Sequence, residues 1–137
     1  MKKLLCLIFT LALSFTIAYA GNVYDKYGSK TGSYRTSGSR TVTYDKYGSK
    51  TGTYKTSGSQ VVKYDKYGSK QATIRKTSSG YNTYDKYGSK TGSYRESSNG
   101  VINSYDKYGR KTGSFRTSPS GKTVQYDSYG RKIRSFE

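Results

Sequence analysis

The sequence has no tryptophan and no histidine, and it has one cysteine, one proline and one methionine. Its five leucines, its cysteine and its methionine all precede Ser14. Because the rest of the chain has no cysteine, disulfides and thiolate metal sites are excluded there. The lack of histidine removes the commonest general base and the commonest metal ligand. Any core must therefore be built mainly from tyrosine, with a few valines and isoleucines.

The N-terminal segment that ends at Ala20 has the pattern of a secretory signal peptide. Lys2 and Lys3 precede an uncharged, mostly apolar run over residues 4–17, and the small residues Ala18 and Ala20 occupy the positions that a signal peptidase reads. A membrane anchor is the alternative, but the apolar run is short for a span. We expect cleavage directly after Ala20, which leaves residues 21–137 as one exported domain, periplasmic or extracellular, without a transmembrane segment.

Basic residues far outnumber acidic ones, with 25 lysines and arginines against 8 aspartates and glutamates and a formal charge of +17. Loss of Lys2 and Lys3 with the signal peptide would lower this charge to +15. Such a surface attracts polyanions. The predicted partner is therefore an anionic envelope polymer (cell-wall glycan, lipopolysaccharide or extracellular DNA), with another envelope protein as the alternative. Intracellular nucleic acid is not expected for an exported chain.

One short motif, Tyr-Asp-Lys-Tyr-Gly-Ser-Lys-Thr-Gly-Ser-Tyr-Arg at Tyr24, recurs along the whole remaining chain. A flexible low-complexity polymer is one interpretation of so much glycine and serine. The strict register, the regular aromatics and the turn residues at fixed offsets favour a folded repeat array instead. The six repeats, of which the last is short, are 24–43, 44–63, 64–83, 84–104, 105–125 and 126–137.

Each repeat predicts a β-hairpin. In residues 25–28 an aspartate opens a four-residue turn and a glycine closes it, which is typical of a type I turn followed by a left-handed glycine. A second turn near Gly38 and its counterparts links one hairpin to the next. Beyond the first turn, Tyr24 should lie opposite Lys30, and Asn22 should lie opposite Gly32.

Strand alternation then predicts a two-faced hairpin. One face should carry Tyr44, Val42, Gly52 and Tyr54, with a ring lying over the glycine, and the other should carry Thr43, Thr51, Thr53 and Lys55. The fold class is therefore all-β, an array of six β-hairpin repeats, either radial (β-flower or propeller-like) or a meander. The chain has too few apolar residues to stabilise an open single layer of hairpins. We therefore expect the array to close, its aromatic rings to stack on one another, or a partner to cover them. Several residues depart from the repeat, and the divergent last copy is interpreted as a cap: Ala72, Ile74, Ile133 and Arg134.

The runs Tyr105–Arg110 and Tyr126–Arg131 resemble the YD repeat of bacterial Rhs-type and toxin-shell proteins, and the resemblance covers residues 24–137. It implies a β-sheet built of repeat units of this same length, without catalytic residues of their own. The encapsulating role of those shells does not carry over to so short a chain. The sequence is also similar to small exported bacterial repeat proteins described as β-flowers, in which hairpins surround an axis. It is more weakly similar to the aromatic hairpins of cell-wall-binding repeats, whose tryptophan it lacks.

No catalytic, cofactor or metal site is predicted, and the chain is not expected to be an enzyme. The recurring aspartates stand one to a hairpin, whereas catalytic carboxylates act in pairs across one bond. The serines have no histidine partner. The Gly-Ser-Lys-Thr runs lack the first glycine of a phosphate-binding loop and no helix follows them.

The turn of each hairpin carries the residues that we predict to bind a polymer. A lysine and a tyrosine at a hairpin tip can stack on sugars or bases and meet phosphate or sulfate. The alternative is that the rings pack onto neighbouring repeats while the lysines solvate an edge strand. A structural or interaction role at the envelope is the first functional hypothesis, and a basic module for anionic polymers is the second. The tip residues are Lys26, Tyr27, Lys46, Tyr47, Lys66, Tyr67, Lys86, Tyr87, Lys107, Tyr108 and Tyr129.

Overall fold

A computed structural model describes residues 19–137, which form twelve β-strands and no helix. The predicted signal peptide lies outside the described residues, except for Tyr19 and Ala20, which begin the first strand. The described part has no helix long and apolar enough to cross a membrane. The strands are β1 (Tyr19–Asp25), β2 (Lys30–Ser37), β3 (Arg40–Asp45), β4 (Lys50–Ser57), β5 (Gln60–Asp65), β6 (Lys70–Thr77), β7 (Gly80–Asp85), β8 (Lys90–Glu96), β9 (Ile102–Asp106), β10 (Lys111–Thr117), β11 (Thr123–Asp127) and β12 (Lys132–Phe136).

The strands close into a barrel in which each strand pairs antiparallel with its neighbours in sequence and β1 pairs with β12. The predicted all-β array of hairpin repeats is confirmed, and its arrangement is radial. Backbone hydrogen bonds in both directions between Asn22 and Glu137 extend the closing seam. Because the last repeat pairs with the first, the ring has no free end, and the prediction that the last copy is a cap is wrong.

Successive repeats meet in one constant register. The outward tyrosine near the end of each hairpin's first strand pairs with a serine or threonine of the strand before it, and the seam repeats this pairing. A ring of equivalent units that closes in the same register cannot climb along its axis, so the six repeats lie at one height with pseudo-sixfold symmetry. The six pairs are Ser33 with Tyr44, Thr53 with Tyr64, Thr73 with Tyr84, Ser93 with Tyr105, Ser114 with Tyr126 and Ser135 with Tyr24.

A β-bulge in every hairpin corrects the predicted assignment of faces. Tyr24 pairs with Lys30 as expected, but the next pair is Val23 with Gly32, so Thr31 is an extra residue and Asn22 pairs with Ser33. An extra residue on one strand shifts the register by one, which exchanges the faces of all residues beyond it. Gly52 and Tyr54 therefore share the interior with Thr43 and Thr41, whereas Thr53 and Lys55 lie outside with Val42 and Tyr44.

The interior is lined by one large side chain from the second strand of each repeat. Tyr94 and Phe115 are in contact, with ring centroids 6.1 Å apart, and link two small apolar clusters. A Cβ added to Gly21 would overlap the Tyr34 ring, so a ring does lie over a glycine, but not over the one predicted. At Gly52 an added Cβ would lie 2.7 Å from a backbone carbonyl of the next strand. These second-strand residues are Tyr34, Tyr54, Ile74, Tyr94, Phe115 and Phe136. Val61 and Ile102 of the first strands are buried in the same clusters.

The outer wall carries the strand tyrosines, which are half-buried over buried or half-buried serines and threonines. In four repeats a cation of the preceding strand lies over the ring. Lys55, for example, places its Nζ 5.2 Å from the Tyr64 centroid, and the Arg75 guanidinium lies 5.1 Å from that of Tyr84. Small residues at the paired positions leave room for the rings, so these tyrosines stabilise the wall rather than stand free of it.

The second turn of each repeat explains why the fourth and fifth repeats are slightly longer than the first three. In the first three repeats two residues join the strands, as in the Ser37–Arg40 pair. In the next two the turn is longer, closed by hydrogen bonds from the N–H of Gly100 to the Ser97 carbonyl and from that of Gly121 to the Ser118 carbonyl. These turns form one end of the barrel, which we call the far rim.

Thr56 offers a test of the interior. In the first repeat the Thr36 and Thr41 hydroxyls share a 2.8 Å hydrogen bond, but Thr56 faces Val61 and its buried hydroxyl has no partner. Thr56→Val should raise the free energy of unfolding by about 1 kcal/mol, because it removes an unsatisfied buried polar group. Urea titration followed by circular dichroism measures the change.

Thr36→Val is the matched control, since it makes the same substitution where the hydroxyl is paired. It should lower the free energy of unfolding by about 1–2 kcal/mol, because it leaves the fully buried Thr41 hydroxyl alone. Equal effects of the two substitutions would contradict the conclusion that the Thr36 hydroxyl is paired and the Thr56 hydroxyl is not.

Candidate binding site on the rim of the barrel

The six aspartate turns lie together at the end opposite the far rim, because each joins an odd-numbered strand to the next one in an antiparallel ring. In the first copy the Asp25 carboxylate accepts hydrogen bonds from the N–H groups of Tyr27 and Ser29, both at 2.9 Å. The Gly28 N–H donates to the Asp25 carbonyl, and its φ of 88° is left-handed. The predicted turn type is confirmed, and all six copies share this geometry. We call this end the tip rim; its loops are 26–29, 46–49, 66–69, 86–89, 107–110 and 128–131.

The tip tyrosines point into solvent. Their side chains are 71–84 % exposed, whereas the strand tyrosines from Tyr24 onward are buried or half-buried. The alternative that these rings pack onto neighbouring repeats is therefore wrong. The loop closes through aspartate and glycine alone, so the tyrosine between them is not required for the turn.

Every tip tyrosine has a cation beside its ring. In five tips it is the preceding lysine, as in the first, where Lys26 Nζ lies 4.9 Å from the Tyr27 centroid. The sixth tip has Ser128 in that position, and the guanidinium of Arg131 lies 5.3 Å from the Tyr129 centroid instead. Sequence analysis named Tyr129 but missed Arg131 and its counterpart Arg110, each of which follows the glycine of its turn and places its guanidinium 5.3 Å from the ring centroid of the tip tyrosine.

Positive charge is concentrated at this rim. The aspartates there are the nearby acids, and their Oδ1 atoms are already bound to loop N–H groups. The opposite rim has Arg40, Lys76 and Lys122 in or next to its turns, beside Glu96 and Glu137. Other cations lie near it on the wall, such as Lys55, which pairs with Arg40, and none of its turn residues is aromatic. The two ends of the barrel thus differ in both charge and aromatic content. Thirteen basic residues lie in the tip loops or at the first position of the strands that follow them: Lys26, Lys30, Lys46, Lys50, Lys66, Lys70, Lys86, Lys90, Lys107, Lys111, Lys132, Arg110 and Arg131.

The turn hydrogen bonds shift the pKa of three aspartates. Donation from the Ser69 N–H holds the pKa of Asp65 below its usual 3.8. The backbone N–H groups of Arg110 and Arg131 do the same for the pKa of Asp106 and Asp127, and the guanidinium of each arginine, at 2.8 and 2.7 Å, adds to the effect. These carboxylates are therefore ionised structural acceptors at neutral pH rather than proton-transfer groups.

Within residues 19–137 no three potential metal-ligating side chains come together. The tip rim thus offers six separate units for binding, each a tyrosine with a cation beside it, which is lysine in five tips and arginine in the sixth. No family model matches the chain, and no curated protein matches it significantly. The resemblance to YD-repeat and β-flower proteins accordingly stays a prediction.

The aspartate turns predict a specific dependence on pH. A carboxyl whose folded pKa is lowered contributes stability above its unfolded pKa and loses it as the pH falls through the folded value. The melting temperature should therefore fall as the pH is lowered from about 5 to about 2. Replacing all three aspartates by asparagine (Asp65→Asn, Asp106→Asn and Asp127→Asn) should lower the melting temperature at neutral pH and flatten its acid dependence.

Asparagine suits this test because its side-chain oxygen still accepts from the loop N–H groups and does not titrate in this range. Melting curves of both proteins at a series of pH values give the comparison. Parallel pH profiles would show that acid destabilisation arises elsewhere in the molecule.

Proposed function

We propose that this chain is an exported, non-enzymatic interaction protein of the bacterial envelope, and that its tip rim binds anionic polymers. The observation that carries the proposal is the presence, on one rim, of six exposed tyrosines that each have a cation within 5.3 Å of the ring. A purely structural role gives no reason to keep six large aromatic rings in water. Their exposure supports the binding hypothesis over that one.

The chemistry of one tip suits a charged sugar or nucleotide chain. The face of the tyrosine ring can stack on a sugar or a base, and the ammonium or guanidinium group beside it can meet a phosphate or sulfate oxygen. The aspartate of the tip repels a bound anion only weakly, because its carboxylate accepts hydrogen bonds from the N–H groups of its own loop.

Repetition multiplies a weak contact. Two strands separate equivalent positions of neighbouring hairpins, so adjacent tips lie on the order of 10 Å apart at the barrel wall. A polymer bound to one tip then meets the next at a high effective concentration. The rim therefore supports avid binding even where a single tip holds its ligand weakly.

Removal of the tip lysines should weaken polymer binding and its salt dependence together. The test protein is residues 21–137, and the probes are a single-stranded oligonucleotide and a sulfated glycan. In the variant, Lys26, Lys46, Lys66, Lys86 and Lys107 are replaced by glutamine. Each lost phosphate contact should lower the slope of log K against log salt by roughly 0.7 for the oligonucleotide. Fluorescence anisotropy with labelled probes at several salt concentrations gives both quantities.

A wall variant provides the control of equal charge. In this variant glutamine replaces five exposed cations of the outer wall, which changes the net charge by the same amount: Arg35, Lys55, Arg75, Arg95 and Arg116. Because four of them lie over strand tyrosines, circular dichroism first checks that the variant folds. Binding should persist in this variant. If both variants lose affinity equally, the net charge of the protein binds the polymer and the tip rim does not. Undiminished binding of the tip variant would exclude the proposal as well.

A further inference from the structure

The tip rim is flat. The register between repeats is the same at all six junctions, including the seam between β12 and β1. The loops themselves share one hydrogen-bond pattern, in which each glycine N–H donates to its aspartate carbonyl at 3.1–3.2 Å. Because the repeats are not displaced along the barrel axis, their equivalent loops end at the same height. The six tyrosines accordingly stand around a single plane at right angles to the barrel axis.

This geometry favours a surface over a line. A straight polymer that lies across the ring contacts only the tips beneath it. It must bend into a circle to contact the other tips. A plane of headgroups meets all six tips together and requires no bending. The full multivalency of the rim is thus available only to an extended flat partner.

The side chains at the rim match the interface of a lipid bilayer. Tyrosine has an apolar ring and a polar hydroxyl, and it is enriched where a membrane meets water. Lysine lets its apolar stem lie along such a surface while its ammonium group stays among the headgroups. Five tips place the two side by side, as where Lys46 Nζ lies 4.9 Å from the Tyr47 centroid and Lys66 Nζ lies 4.9 Å from that of Tyr67.

The polarity of the barrel then gives an orientation. The far rim carries Glu96 and Glu137 among its few charges, and Lys122 is paired with Glu137. Its turns are made of serine, glycine, asparagine and proline together with Val101 and Lys122, and they present no ring to a bilayer. The tip rim is therefore the more basic of the two ends, and its turns carry rings where the turns of the far rim have none.

We propose that the barrel docks end-on, through its ring of six tips, on a membrane surface rich in anionic phosphate headgroups. The inference rests on the proposed function, because it uses the same rim and the same contacts with anionic groups, and it names a lipid surface rather than a linear polymer as the partner. The tyrosine rings enter the headgroup layer, the lysines meet lipid phosphates, and the barrel axis stands normal to the membrane with the far rim in water.

The absence of tryptophan from the chain makes the orientation measurable. Tyr67→Trp places a single reporter at a tip, and Ser59→Trp places one in an exposed turn of the far rim. Each protein is mixed with vesicles of phosphatidylcholine alone or with about one third phosphatidylglycerol, with and without brominated lipid as a quencher. We expect a blue shift and quenching for the tip reporter on the anionic vesicles only, and an unchanged signal from the far-rim reporter.

Affinity gives a second measurement. In the Tyr67→Trp background, replacing the five tip lysines by glutamine should weaken binding to anionic vesicles by about five-fold for each lysine that contacts the surface. The matched wall variant in the same background should bind as before. Equal quenching of both reporters, or equal losses from the two sets of substitutions, would overturn end-on docking.

A parallel titration with the soluble single-stranded oligonucleotide separates the two proposals. Binding to the oligonucleotide without binding to anionic vesicles would overturn the lipid-surface inference and leave the proposed function standing. Failure to bind either probe would reject both. Binding to vesicles with the expected reporter pattern would support the membrane surface as the partner.

Discussion

The rest of the structure depends on a constant register between repeats that also holds across the seam. Because Ser135 pairs with Tyr24 as Ser33 pairs with Tyr44, the sixth repeat completes the ring that the first begins. Closure gives every strand two neighbours, so no open edge needs protection. It also encloses the small set of interior rings, which would remain half wet in an open layer. A chain without leucine in this region can therefore form a barrel, since the backbone ladders stabilise it together with a thin aromatic core.

Local features of the fold could be predicted from the sequence because short-range chemistry determines them. An aspartate and a glycine three positions apart specify the tip loop, and that loop makes Tyr24 face Lys30. Prediction failed at the next position, Thr31, where a β-bulge adds an unpaired residue to the strand. Nothing in the composition of Lys30-Thr31-Gly32 distinguishes a bulge from a regular strand. Because strand faces alternate at every residue, this single omission placed Tyr54 and Thr53 on the wrong sides of the wall.

The candidate site was predictable in its residues but not in its arrangement. The repeat places tyrosine inside the turn at every tip and lysine before it at five of the six, so these residues could be named from the sequence alone. Their exposure and their common plane depend on how six hairpins associate, which is a property of the closed ring. The role of Arg131 is local instead, since its guanidinium lies beside the Tyr129 ring of its own loop, as that of Arg110 lies beside Tyr108.

Divergence among the six copies separates the demands of folding from those of the rim. The interior position has changed between repeats and is tyrosine, isoleucine or phenylalanine, as in Tyr34, Ile74 and Phe136, all buried. Folding thus accepts several large side chains even where packing is tight. The tip position, where packing makes no demand, is tyrosine in every copy, and the copy that has lost the lysine has an arginine stacked in its place. The fold does not need the tip tyrosine, yet this residue is the same in all six copies while buried residues vary. This indicates a constraint from outside the molecule, and a partner that binds at the rim would impose one.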